Sequence, residues 1–213
     1  MELTGKIVLL TGATGGLGRA IATALAERGA QLILSSRQQQ ELDQLARSLF
    51  GSGHRSIVSD LADVGSARAL LAEAGEIDIL VSNAALPASG KLDSFTAEQV
   101  DRALRVNLEV PVQMTRELIP AFTKRGSGHF VYISSISGKT ATARASLYAA
   151  TKFGLRGFAC VCAMICGPPA SRLGGKPGRD QRRRDVRRFR SRRTAADRDR
   201  QARAGWSRRS QRD

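Results

Sequence analysis

Tyr148 and Lys152 stand four residues apart in the run Tyr148-Ala149-Ala150-Thr151-Lys152. On a helix that spacing puts both side chains on one face. A phenol is a poor base at neutral pH, and an ammonium beside it stabilises the phenolate. Such a pair could give a proton to a carbonyl oxygen or take one from a hydroxyl. Taken alone, a Tyr and a Lys at this distance are more often a solvated helix face.

Two other segments supply the missing company. Thr11-Gly12-Ala13-Thr14-Gly15-Gly16-Leu17-Gly18 joins an apolar run to a helical one. An anion held there needs backbone N–H groups, no Cβ atoms in the way, and a helix N-terminus behind them. Gly12, Gly16 and Gly18 supply the close approach and the tight turn. The spacing differs from G-x-G-x-x-G, and the loop lacks the lysine of a P-loop. A second apolar run ends at Ser35-Ser36-Arg37. An NAD site usually offers an acid at this point for the ribose 2′-hydroxyl, whereas an arginine can meet a 2′-phosphate. Arg37 therefore favours NADP over NAD as the cofactor.

The elements that must position these residues alternate along the chain. Residues 6–11 (KIVLLT), 31–35, 55–59, 77–82 and 129–134 are apolar and strand-like. Residues 19–28, 38–49, 65–74, 96–124 and 146–159 carry apolar side chains at helical spacing. Gly29 ends the first helix where glycine is favoured, and Pro111 predicts a kink or break in the fourth. Strand and helix in alternation imply a parallel sheet with helices on both faces. The predicted fold class is α/β, a doubly wound parallel sheet of the Rossmann type.

Composition places that fold in a soluble chain. A hydrophobic share of 42% beside a charged share of 25% is ordinary for a globular protein. The net charge of +15 is not ordinary, and its location decides its meaning. Residues 1–170 carry 17 basic and 14 acidic side chains, a balance of +3; residues 171–213 carry 17 basic and five acidic, a balance of +12. The basicity belongs to the tail. After Ala159 the strand-helix pattern stops, Gly167-Pro168-Pro169 follows, and from Arg179 the chain is mostly Arg, Asp, Ala and Ser. A segment so poor in apolar residues cannot offset its ordering entropy and is predicted to be disordered. The predicted organisation is a cofactor-binding and catalytic domain over residues 1–165 and an Arg-rich tail over 166–213.

The start, Met1-Glu2-Leu3-Thr4-Gly5-Lys6, does not resemble a signal peptide, and no apolar run reaches membrane-spanning length. No membrane partner is expected, and the expected location is cytoplasmic. Cys160, Cys162 and Cys166 are odd in number and clustered, which makes no disulfide framework. They, His54 and His129 match no metal-ligand spacing, so no metal is expected.

With these motifs in place, the chain resembles the short-chain dehydrogenase/reductase family over residues 3 to about 159. The resemblance rests on the Thr11–Gly18 loop, Asp60-Leu61, Asn83-Ala84-Ala85, Asn107, Ser135 and Tyr148-x-x-x-Lys152, in family order and spacing. It implies that the cofactor lies against Gly12, Thr14, Gly16, Leu17 and Gly18. Asp60 would hydrogen-bond the adenine with Leu61 beside it, and Asn83, next to Ala84, would steady the central strand near the cofactor. Ser135 would hold the substrate carbonyl, and Tyr148 would donate the proton in reduction. Lys152 would bind the nicotinamide ribose and support the Tyr148 phenolate, while Asn107 would position a water relaying protons to Lys152. The implied activity is hydride transfer between NADP(H) and a small-molecule carbonyl or secondary alcohol. A homo-oligomer through the fourth and fifth helices is also implied. Ala85 stands where the family usually has glycine.

Past the catalytic helix the resemblance ends. The family continues with further strands, a Pro-Gly loop for the nicotinamide carboxamide and a substrate lid, and no recognisable counterpart follows here. The expected sheet therefore lacks its last strands, which leaves the fifth strand as a hydrophobic edge. A change of reading frame near Ala159 would account for the abrupt Arg-rich composition. An alternative function is a non-catalytic nucleotide-binding remnant whose Arg-rich tail contacts nucleic acid or an anionic surface. The tail's few aromatics and its aspartates argue against nucleic acid as a partner.

Overall fold

The computed structural model describes residues 2–140 and 143–166. The strands are β1 (Ile7–Thr11), β2 (Gln31–Ser36), β3 (Arg55–Val58), β4 (Ile79–Ser82) and β5 (His129–Tyr132). The helices are α1 (Gly16–Ala26), α2 (Gln39–Ser48), α3 (Ser66–Ala74), α4 (Ala97–Leu104), α5 (Val110–Arg125) and α6 (Ser146–Cys166). All strands pair in parallel, in the order β3-β2-β1-β4-β5. The fold is the doubly wound α/β sheet that the alternation of elements implies.

The central strands β1, β2 and β4 are apolar through their middles because both faces of the sheet are covered there. Val8, Leu10, Leu32, Leu34, Ile79 and Val81 face one way and pack with Ala22 and Ala26 of α1 and Leu42 and Leu45 of α2. Leu9, Ile33, Ile57 and Leu80 face the other way and pack with Leu70 of α3 and with Met114, Leu118 and Phe122 of α5. Side chains alternate across a strand, so two cores need two apolar sets. The sheet order reverses at β1, with β2 on one side and β4 on the other. In such sheets the crevice at the carboxyl ends of these strands is where ligands bind.

Two elements depart from the sequence-based boundaries. Pro111 does not break the fourth helix; a π-helical turn, Arg105–Glu109, precedes it and joins α4 to α5. Proline has no N–H to give the carbonyl four residues back, which is that of Asn107, and the wider turn absorbs the defect. α6 runs past Ala159 to Cys166, since nothing in residues 160–166 opposes a helix before Gly167. Within the described residues β5 pairs only with β4, and its Val131 is 41% exposed. The Arg-rich tail, the Gly167-Pro168-Pro169 stretch and the continuation beyond them lie outside the described residues.

No helix among the described residues is long and apolar enough to cross a membrane. They also hold no cluster of metal-ligating side chains. Both ring nitrogens of His54 are engaged: Nδ1 lies 3.1 Å from the Leu32 amide and Nε2 3.0 Å from the Phe50 carbonyl.

Candidate active site

A cleft of about 460 Å³ opens at the carboxyl ends of β1, β2 and β4. Its wall contains Gly12, Thr14, Gly16, Leu17 and Gly18 from the first loop, Arg37 from the end of β2, and Asp60 and Leu61 after β3. Asn83 and Ala84 close it after β4. Ten of the residues singled out in the sequence thus line one cavity. Ser35, Ser36, Gln38 and Val106 line it too, without having been singled out.

The loop's shape follows from its glycines. Gly12 has φ +65, and a Cβ there would come within 2.8 Å of the Ala84 Cα, so the loop can press on the segment after β4 only at a glycine. A Cβ on Gly18 would collide with the carbonyl oxygens of Gly12 and Ala13. Gly16 differs: a Cβ there meets nothing within 4 Å. Gly15 caps α1 without a side-chain hydrogen bond, and the first turn of α1 has no acid. Those amide groups therefore face the cleft without a side chain to satisfy them.

Threonine and asparagine lock the two sides of the cleft together. The Thr11 hydroxyl accepts from the amides of Asn83 and Ala84, each at 3.1 Å. The Asn83 side chain donates back to the carbonyls of Thr11 and Gly12 at 3.1 and 3.0 Å. In the sequence Thr11 marks only the start of the glycine loop; its hydroxyl role is a tertiary contact that spacing does not reveal. Asp60 accepts from the Ala62 amide at 2.9 Å and pairs with Arg102 of α4 at 3.7 Å. Arg37 is exposed and forms no ion pair with any described residue. The Ser35 hydroxyl is the one buried side-chain polar atom among the described residues without a hydrogen-bond partner.

Asn107, Ser135, Tyr148 and Lys152 are not among the residues lining this cavity; Lys152 reaches the segment after β5 at Ile133, and Asn107 the segment after β4 at Leu86. Lys152 is 2% exposed, and its ammonium donates to the Ile133 carbonyl at 2.9 Å and lies 5.6 Å from the centre of the Tyr148 ring. Burial pushes its pKa below the ordinary lysine value, because removing the charge from water penalises the ammonium. Tyr148 is half-buried, and its amide donates to the Ala88 carbonyl at 3.2 Å. Ser135 follows two residues after Ile133, and its hydroxyl accepts from the Ser137 amide at 3.2 Å. The short turn that follows, Ile136–Gly138, presses on α6: a Cβ on Gly138 would come within 2.7 Å of the Lys152 carbonyl. Asn107 is buried in the π-helical turn and holds both backbone groups of Leu86, at 2.7 and 3.0 Å. The segment from Asn83 to Ala88 therefore serves both groups: one end lines the cleft, and Leu86 and Ala88 anchor Asn107 and Tyr148.

A Gly-lined cleft at the reversal point of a parallel sheet, with a Tyr-Lys pair on a neighbouring helix, is a Rossmann-type arrangement. The short chain dehydrogenase family model matches residues 6–168, and the chain belongs to that family. It is 39% identical over 174 residues to the Dehydrogenase/reductase SDR family member 4 of Pongo abelii, covering 78% of this chain and 62% of that protein. It is 37% identical over 159 residues to Ketoacyl reductase HetN of Nostoc sp., covering 72% of this chain and 55% of that one. The chain thus spans little more than half the length of these curated relatives. Among solved structures it is similar to a metagenomic short-chain oxidoreductase in complex with NADP, with TM-score 0.71, 32% identity and 78% of each chain covered. It is also similar to the closed form of a serine dehydrogenase complexed with NADP+, with TM-score 0.69, 30% identity, and 76% of this chain and 66% of that one covered.

Proposed function

We propose that this chain binds NADP(H) in the cleft and moves hydride reversibly between it and a small carbonyl compound or secondary alcohol. The residues present suit an anionic dinucleotide. Open space at Gly16, the uncapped first turn of α1, the unpartnered hydroxyl of Ser35 and the uncommitted guanidinium of Arg37 all stand at one cavity. In this reading Gly12, Thr14, Gly16, Leu17 and Gly18 hold the pyrophosphate and Arg37 the 2′-phosphate. Asp60 and Leu61 hold the adenine, and Asn83, next to Ala84, steadies the central strand beside the cofactor.

The bound dinucleotide supplies or accepts the hydride. The chain's own residues handle the substrate oxygen and its proton. Ser135 donates a hydrogen bond to that oxygen. Tyr148 gives it a proton in reduction and takes one back in oxidation. Lys152 holds the nicotinamide ribose and places its charge beside the phenol, where a phenolate needs it. Asn107 holds a water that returns protons to Lys152.

The observation that carries this reading is the buried ammonium of Lys152 between the Ile133 carbonyl and the Tyr148 ring. Lysine is almost never fully buried without a charge to answer or a task to do. Fluorescence titration of the purified chain with NADPH and with NADH tests it. NADPH is expected to bind tighter by about tenfold or more, the worth of one charge-assisted phosphate contact. Absence of binding by either nucleotide would remove the reading.

A further inference from the structure

Thr151 has no part in the chemistry above, yet it is 0% exposed and sits immediately before Lys152. Its hydroxyl has one proton to give and lone pairs to receive. The proton goes to the Tyr148 carbonyl at 2.7 Å, one turn back along α6. In return the hydroxyl accepts from the Asn107 side-chain amide at 3.4 Å. Asn107 is itself clamped to both backbone groups of Leu86, and Leu86 lines the cleft. A continuous polar strut therefore runs from the cleft wall through Asn107 and Thr151 to the backbone of Tyr148.

A helix does not need this hydroxyl. Threonine is a mediocre helix former, and an apolar side chain of the same size would fill the space within α6 itself, at the expense only of the Asn107 amide. What the hydroxyl adds is a fixed link: its bond to the Tyr148 carbonyl holds the oxygen in place, and a lone pair is left to receive the Asn107 amide. The link sits on the turn of α6 that carries both Tyr148 and Lys152.

We infer that Thr151 is a positioning residue that fixes this turn against the cleft wall and thereby sets contact with the nicotinamide half of the dinucleotide, leaving the adenosine half untouched. The inference rests on the proposed function, and a ligand comparison separates the two. NADPH reaches both halves of the site, whereas 2′,5′-ADP carries only the adenosine end. Both are titrated against the wild-type chain, Thr151→Val and Thr151→Ser, with the fold followed by circular dichroism. Thr151→Val is expected to weaken NADPH by about tenfold while 2′,5′-ADP stays within about twofold, and Thr151→Ser to restore NADPH binding. Equal loss for both ligands, or loss for neither, overturns the inference. A wild-type chain that binds 2′,5′-ADP but gains nothing from the rest of NADPH also overturns it, while leaving the cleft reading intact. A wild-type chain that binds neither sinks both. Should Thr151→Val not fold, Thr151→Ala carries the same comparison without adding bulk.

Discussion

The ammonium of Lys152 faces the ring of Tyr148 at 5.6 Å while donating to the carbonyl of Ile133 at 2.9 Å. A cation over an aromatic face is attracted by the ring's negative quadrupole, and the carbonyl takes one of its three protons. Neither partner is an anion, so the charge is only partly answered. That arrangement stores a cost at a single residue, and the cost can be read by pH.

Because burial lowers the pKa of Lys152, the unfolded chain binds this proton more tightly than the folded one. Stability is therefore penalised in full below the lowered value. It recovers as pH rises from there towards the ordinary lysine value of 10.5, and above that the penalty is gone. Lys152→Met removes the titration, and the lost bond to Ile133 gives only a constant offset. Urea unfolding of both chains between pH 7 and 10.5 should show the wild type gaining on the variant as pH rises. Parallel curves would mean that the ammonium pays no burial penalty.

Tyr148→Phe removes the hydroxyl and keeps the ring that packs against the cluster of Ala88, Ala103 and Leu147. Turnover of an electron-poor aryl ketone with NADPH should fall by about 10²- to 10⁴-fold, the usual worth of a placed general acid. NADPH affinity should stay within about threefold, since a single neutral hydrogen bond is at stake. Steady-state kinetics beside fluorescence titration separates the two quantities. Turnover near that of the wild type would remove Tyr148 from the proton step.

Much of this was legible in the sequence for a physical reason. A strand buried on both faces carries an unbroken apolar run, so β1 and β2 announce themselves, and a helix start at glycines marks the cleft. The Tyr148 and Lys152 spacing is a local property of one helix, which is why it can be read without coordinates. Thr151 could not be singled out that way, because its meaning depends on Asn107, 44 positions away. The same holds for Thr11, whose hydroxyl answers amides more than 70 positions on. Pro111 predicts trouble in a helix but not its resolution; the π-helical turn that seats Asn107 depends on the packing of its neighbours.

Arg37 offers a cleaner test of cofactor choice than any wall residue, because it makes no ion pair within the described residues and its loss should cost little stability. Arg37→Glu places a carboxylate where the proposed 2′-phosphate lies. NADPH affinity should drop by about 10- to 100-fold, as expected for a charged hydrogen bond replaced by repulsion. NADH affinity should hold or rise, since an acid can meet the free 2′-hydroxyl. Competition titrations with both nucleotides measure the ratio. An unchanged ratio would place the specificity elsewhere.

Gly16 and Gly18 lie in the same turn and make opposite predictions. A Cβ on Gly18 would meet the Ala13 carbonyl oxygen at 2.8 Å, and the oxygen of Gly12 more closely still. Both are backbone atoms and cannot step aside cheaply. Gly18→Ala should therefore destabilise the fold by about 1–3 kcal/mol, the range for overpacking, and lower the melting temperature even with no nucleotide present. A Cβ on Gly16 meets nothing within 4 Å, and alanine is the better helix former at the first turn of α1. Gly16→Ala should therefore melt at the wild-type temperature or slightly above, while binding NADPH more weakly because the methyl group stands where the proposed pyrophosphate site lies. Thermal melts with and without NADPH resolve the contrast. If Gly16→Ala bound the nucleotide as well as the wild type does, the space in front of α1 would not be where the phosphates sit.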